Sequence, residues 1–209
     1  QGSGRPTTAS FLLVKEYLWM VRAVVQRLVL FHYNNGSRSG TVIEELTKGY
    51  KGYFQCDGFE GYESAFKTRP DVLIVNCMAH IRRHFEQAQK ENKEMAAYAL
   101  KEIQLLYRVE HECDERELIT EQRKETRLKK SKPVMDNLKL WMETEGIKHS
   151  SNSLIGKAVT YAYTRWDNMM RYLMDGRIRI DNNLAENAIR PITLGRTICS
   201  VAIMRLLSV

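Results

Sequence analysis

The chain has 209 residues, 44% of them hydrophobic and 27% charged, with a formal net charge of +7, a balance that suits a globular protein with one substantial domain or a core domain carrying an inserted unit. No apolar run reaches the roughly 18 residues a membrane helix needs, and the opening QGSGRPTTAS has neither the basic start nor the apolar core of a signal peptide, so a cytoplasmic protein with no membrane partner is expected. The positive charge leans towards a polyanionic partner. Cys56, Cys77, Cys113 and Cys199 stand far apart without a CxxC pair, which argues against a disulfide framework.

After a Gly/Ser/Thr-rich start, YLWMVRAV (17–24) and RLVLFHYN (27–34) are rich in aromatic and β-branched residues and are predicted to form an antiparallel pair of strands. NNGSRSG reads as a turn, and Ser39 as the cap of a helix through TVIEELTKGY. YFQCD (53–57) is the next predicted strand, stopped at Asp57-Gly58, and VLIVNC (72–77) is another that opens directly into a helix starting MAHIRRHFEQAQK. From about 78 to 174 the apolar residues keep helical spacing, for example Met95, Tyr98, Ala99, Ile103 and Leu106, with a break at Pro133. Trp166, Tyr161 and Tyr172 fall on that spacing and are expected in the helical core, not on a base-stacking platform. The run RKETRLKKSK (123–132) holds six Lys or Arg and reads as a solvated helix face or a phosphate-tracking one. The order of elements predicts an α/β fold, a mixed sheet flanked by helices, divided into a β-rich part (1–77), a helical segment (78–174) and a C-terminal helix with a tail (175–209).

The segment DGRIRIDNNLAENAIRP (175–191) has a purely local reading: Asn183 as N-cap and Glu186 as its capping-box carboxylate. That leaves Asp181, Asn182, Arg177, Arg179 and Arg190 without a purpose, since a cap needs no second carboxylate and no set of guanidinium groups. Asp57 likewise reads locally as a turn residue before Gly58. Taken together, a strand-end Asp and a helix-borne Glu brought in from a distant segment suit hard divalent ions, two of which lie about 3.5–4 Å apart in phosphoryl-transfer sites. Arg190, four residues after Glu186, shares its helix face and could pair with it or take a phosphate.

CMAHIRRHF places Cys77, His80 and His84 on one helix face, a spacing that raises zinc. Zinc takes four ligands in a structural site, and the further candidates His111 and Cys113 come without a matching pair, so packing is the simpler reading. Arg82 and Arg83 read as surface charge or as DNA contacts.

YKGYFQCDGFEGY, CMAHIRRHF, RLVLFHYNNGSRSG and above all YTRWDNMMRYLMDGRIRIDNNLAENAIRPITLGR resemble, in order over about residues 17–196, the catalytic part of transposases of the insertion sequence sixty-six (IS66) family. The resemblance implies a ribonuclease H-like fold with a large helical insertion between the second Asp and the Glu of an Asp-Asp-Glu triad that cuts and joins DNA. It assigns Asp57 as the second aspartate and Glu186 as the glutamate, with Mg²⁺ or Mn²⁺ in a two-metal site. Arg82, Arg83, Arg177, Arg179 and Arg190 become phosphate contacts, and Cys77, His80, Asp181, Asn182 and Asn183 brace the ligands. Expected partners are the transposon ends and target DNA, other copies of the chain and helper proteins, at the nucleoid.

Two departures qualify that expectation. No Asp precedes position 57, Glu16 being the one carboxylate in residues 1–16, and the tail TICSVAIMRLLSV leaves the family pattern after Gly195-Arg196. The chain is therefore expected to be a catalytically incomplete fragment, truncated at both ends and lacking the first strand. The competing expectations are a non-catalytic DNA-binding remnant and a ribonuclease H-like nuclease, the latter separated by whether strand joining follows cleavage.

Overall fold

A computed structural model of the chain describes residues 17–23, 28–34, 39–183 and 200–207. The two aromatic and β-branched runs form β1 (Tyr17–Ala23) and β2 (Leu28–Asn34), paired antiparallel as predicted. After α1 (Gly40–Leu46) come β3 (Gly52–Cys56), α2 (Glu60–Phe66) and β4 (Val72–Asn76), with β3 and β4 parallel and Cys56 level with Asn76.

The sheet has five strands in the order β2-β1-β5-β3-β4. Its central member is β5 (Ser200–Leu207), which comes from the stretch that sequence patterning left as an unassigned tail. SVAIMRLL is rich in apolar residues, and its last residue, Leu207, is buried. It lies parallel to β1 and antiparallel to β3, and among the described strands β1 and β3 meet only through it.

Both faces of the β3-β4 half are covered, as strand alternation dictates. Val72, Ile74, Phe54 and Cys56 point to one side and pack with Val42 and Ile43 of α1 and Tyr62 and Phe66 of α2. Val75 and the half-buried Tyr53 point to the other, against the helices that follow β4. These are α3 (Met78–Ala88), α4 (Lys93–Glu115), α5 (Thr120–Thr126), α6 (Lys132–Thr144), α7 (Leu154–Thr164) and α8 (Trp166–Met170). Their shared core holds Ile81, Phe85, Ile103, Leu106, Trp166 and Tyr172, all essentially inaccessible to solvent. Each such side chain contributes about 1.5–3 kcal/mol by leaving water.

The basic run 123–132 is not wholly solvated, because Arg123 and Arg127 are buried while Lys129, Lys130 and Lys132 are exposed. Arg127 lies in a π-helical turn (Arg127–Ser131) and donates Nε and Nη2 to the two oxygens of Glu110 at 2.8 and 2.7 Å. Its Nη1 donates to the carbonyls of Tyr172 and Asp175 at 2.9 and 3.0 Å. Arg123 joins Glu110 at 3.1 Å and also reaches Asp114. Every nitrogen of the Arg127 fork thus donates to an oxygen, which is the condition under which a buried guanidinium is tolerated. Gly176 is pressed against the start of α5, where an added Cβ would sit 2.0 Å from the Thr120 carbonyl oxygen. Among the described residues no helix is long and apolar enough to cross a membrane.

Two outcomes follow. Glu110→Ala leaves Arg127 buried without its counter-charge and should cost about 3–5 kcal/mol in urea unfolding, whereas the double replacement Glu110→Leu with Arg127→Met should recover most of that loss. A chain ending at residue 199 lacks the strand that joins the two halves of the sheet, and should lose its cooperative transition and near-UV circular dichroism together.

Candidate active site

Asp57 follows the last residue of β3 and is half-buried at the strand's carboxyl end. Its Oδ1 accepts the Phe59 N–H at 3.1 Å, and Gly58 turns the chain at φ +83°, so the turn expected from Asp-Gly is present. Because β4 runs parallel and in register, its end brings Asn76 and then Cys77 alongside Asp57. Cys77 is the N-cap position of α3, and its sulfur accepts the Asn182 N–H at 3.4 Å. Burial pushes its thiol up to about 12, with the N–H groups of Asn182, His80 and Ala79 opposing only in part. Cys77 is therefore a protonated peg between strand, helix and incoming segment.

The segment around 175–183 is laid across these strand ends by bonds of long sequence range. Gln55, buried on β3, donates Nε2 to the Arg179 carbonyl at 2.8 Å, and the Met78 N–H donates to the Ile180 carbonyl at 3.0 Å. Tyr107 of α4 donates its hydroxyl to Asp181 Oδ2 at 2.9 Å, and burial together with the Asp181 charge drives that phenol far above its ordinary value. Asp181 in turn accepts the Asn183 N–H at 3.1 Å and the Asn183 Nδ2 at 2.8 Å. Asp181 thus closes an Asx turn on Asn183, while the residues that Asn183 is expected to cap lie outside the described ones. Glu186 and Arg190 lie outside the described residues.

Two side chains at this sheet end are buried polar groups with no hydrogen-bond partner among the described residues: the amides of Asn76 and Asn182, each no more than 2% exposed. Asn182 was a sequence candidate. Asn76 was not, because a polar residue closing an apolar strand looks like ordinary punctuation.

Three of the five arginines expected at phosphates have carboxylate partners within the chain. Arg177 holds Asp175 with Nε at 3.1 Å and Nη2 at 2.6 Å, Arg179 holds Asp114 at 2.8 and 3.1 Å, and Arg82 pairs with Glu86 one turn along α3 at 3.1 Å. Arg83 is exposed on the same helix. A phosphate meeting Arg82, Arg177 or Arg179 would compete with those partly exposed pairs, each worth little in water.

Among the described residues no group of three His, Cys, Asp or Glu is arranged to hold a metal. The zinc pattern is dispersed: Cys77 is used as above, and His84 stacks on Tyr161 with ring centroids 3.9 Å apart and planes 27° apart. Hard oxygen is what Asp57 offers at this sheet end, through its carboxylate. That donor chemistry fits Mg²⁺ or Mn²⁺ better than zinc.

Trp166 and Tyr172 are buried in the helical core as expected. Tyr161 is only partly buried, and its hydroxyl donates to the Asp57 carbonyl at 2.7 Å. Arg165, one turn further on, donates to the Gly58 carbonyl at 2.9 Å. Sequence patterning missed this pair; the available signal was a phenol and a guanidinium four residues apart on an otherwise apolar helix.

A sequence profile described as "Transposase IS66 family" matches residues 12–204. Similar proteins of Sinorhizobium fredii include one named uncharacterized protein y4qI, 32% identical over 177 residues that cover 81% of this chain and 32% of the relative. Another, uncharacterized protein y4hP, is 30% identical over 182 residues, 79% of this chain and 32% of the relative. A third, uncharacterized protein y4jD, is 28% identical over 166 residues, 77% of this chain and 32% of the relative. The chain therefore spans about a third of the length of these curated relatives. No solved structure matches.

His84 provides a pH-dependent readout beside Asp57. Burial first, and then Arg165, hold its imidazole below its ordinary value of 6.5. The unfolded chain therefore binds the proton more readily than the folded one, and the fold loses stability as pH falls through the unfolded value. Urea midpoints at about pH 7.5 and about pH 5.5 should differ less in His84→Gln than in the parent chain.

Proposed function

The chain belongs to the IS66 transposase family, and from that premise we propose that it carries part of the catalytic domain of an Asp-Asp-Glu DNA transposase. In this reading the sheet and its helices are a ribonuclease H-like core, and the helices between Met78 and Leu173 are an insertion separating the second aspartate from the glutamate. The observation that supports it most is the convergence of distant segments. Gln55, Met78 and Cys77 draw residues 179–182 to the strand end that carries Asp57, and Glu186 follows four residues later in sequence.

Asp57 and Glu186 are the proposed ligands of Mg²⁺ or Mn²⁺. When bound, such ions act as Lewis acids on both the attacking and the leaving oxygen of an in-line displacement. In the first reaction water attacks phosphorus, the bond from phosphorus to the 3′ oxygen breaks, and a 3′ hydroxyl is released. In the second that hydroxyl attacks a target phosphodiester and displaces its 3′ oxygen. The chain's own part is to orient the carboxylates and to hold phosphates with Arg82, Arg83, Arg177, Arg179 and Arg190. The transposon ends and target DNA are the proposed partners, with further copies of the chain and helper proteins of the element.

One observation favours a second reading, DNA binding without chemistry. The strand between β1 and β3 is SVAIMRLL, which has no carboxylate. In this reading the chain holds DNA through its basic surface without cutting it.

Fluorescence anisotropy with duplex DNA tests both readings. The affinity should fall steeply between about 50 and about 200 mM salt, as release of counterions from several phosphates requires. With Mn²⁺ added, the second reading expects intact duplex. The first expects nicking that disappears in Asp57→Asn and Glu186→Gln. Binding indifferent to salt would rule out the phosphate-holding surface, and nicking that survives both substitutions would rule out the carboxylate site.

A further inference from the structure

The turn that carries Asp57 is held from outside its own sheet. Tyr161 of α7 comes from 104 residues away to donate its hydroxyl to the Asp57 carbonyl at 2.7 Å. Arg165 donates Nε and Nη2 to the Gly58 carbonyl at 3.2 and 2.9 Å. The same guanidinium carbon lies 4.1 Å from the centroid of the Tyr161 ring, and the His84 ring lies 3.9 Å from it. The phenol ring is thus packed against both a cation and an imidazole plane. Burial pushes the Tyr161 hydroxyl up to about 12, which keeps it a donor throughout the neutral range.

The fit leaves no slack. A Cβ at Gly58 would meet Arg165 Nε at 2.6 Å and Tyr161 Oη at 2.9 Å, and φ of +83° already favours glycine there. The two donors act on the main-chain carbonyls of the two residues that make the bend, and the Phe59 N–H holds the carboxylate itself from inside the turn. Together they remove the freedom of a strand-end loop that would otherwise be soft.

We propose that Tyr161 and Arg165 are positioning residues for Asp57, clamping the Asp57-Gly58 bend so that the carboxylate presents a single orientation to a divalent cation. The inference rests on the proposed role of Asp57 as a metal ligand. Groups that orient a ligand change metal affinity by about 10- to 100-fold when removed. The helical segment thereby takes part in the site, beyond separating its two carboxylates in sequence.

Nuclear magnetic resonance on the full chain reads clamp and metal separately, through amide hydrogen exchange and through Mn²⁺ line broadening at Gly58 and Phe59. Tyr161→Phe should raise exchange at both amides by about tenfold and weaken Asp57-dependent broadening by about 10-fold or more, while α4 amides and the thermal midpoint hold. Arg165→Lys, which keeps the charge and one donor, should lose less than Arg165→Met. If broadening is abolished by Asp57→Asn yet unmoved by Tyr161→Phe and Arg165→Met, the clamp is wrong and the ligand role stands. If Asp57→Asn leaves broadening unchanged, the ligand role is wrong and the clamp loses its purpose, whatever exchange shows.

Discussion

The buried Gln55 side chain donates to the Arg179 carbonyl, and the first N–H of α3 donates to Ile180. Each bond is worth only about 0.5–1.5 kcal/mol net, but leaving either partner buried and unpaired costs about 1–3 kcal/mol. Register is therefore set more by the penalty for misplacement than by the gain from contact. A one-residue slip of the 175–183 segment would strand Gln55, the Met78 N–H and the Cys77 sulfur at once. The chemistry at the sheet end depends on that register, because it decides that Asp181 and Asn182, and not their neighbours, arrive beside Cys77.

The helical segment is anchored by a different kind of constraint. Glu110 and Arg127 are an ion pair within a packed core, and the Arg127 fork also reaches two carbonyls at the start of the incoming segment. Apolar residues of similar volume would stabilise that core as well or better. What the charges add is direction: a guanidinium with fixed donors accepts few placements of Tyr172 and Asp175, so the exit from the helices points at the strand ends. Arg179 on Asp114 and Arg171 on the Ile74 carbonyl extend the same guidance, one to α4 and one to β4. Cations that resemble a DNA-binding stripe in sequence are thus shared between holding the fold and facing solvent.

At the site the same division recurs between local and remote causes. The Asp57 turn is local, closed by its own Asx bond and a glycine. Its rigidity is remote, supplied by Tyr161 and Arg165 from the far end of the helical segment. The pair Asn76 and Asn182 combines both, one placed by strand register and the other by the Cys77 peg.

Local pattern was enough to determine β1 to β4, the helical character of 78–174 and the Asp57-Gly58 turn, because period-two and helical spacing and turn chemistry act over a few residues, while the family came from resemblance of whole motif blocks. It could not decide partners. That Arg177 and Arg179 answer to carboxylates, that Arg123 and Arg127 are buried, that Tyr161 leaves the core to hold Asp57, and that the tail becomes the central strand all depend on groups far apart along the chain. A basic side chain looks the same in sequence whether it meets water, phosphate or a buried glutamate, and an apolar run looks the same at an edge or in the middle of a sheet. Only the packed arrangement, where an unpaired buried group is costly, selects among those outcomes.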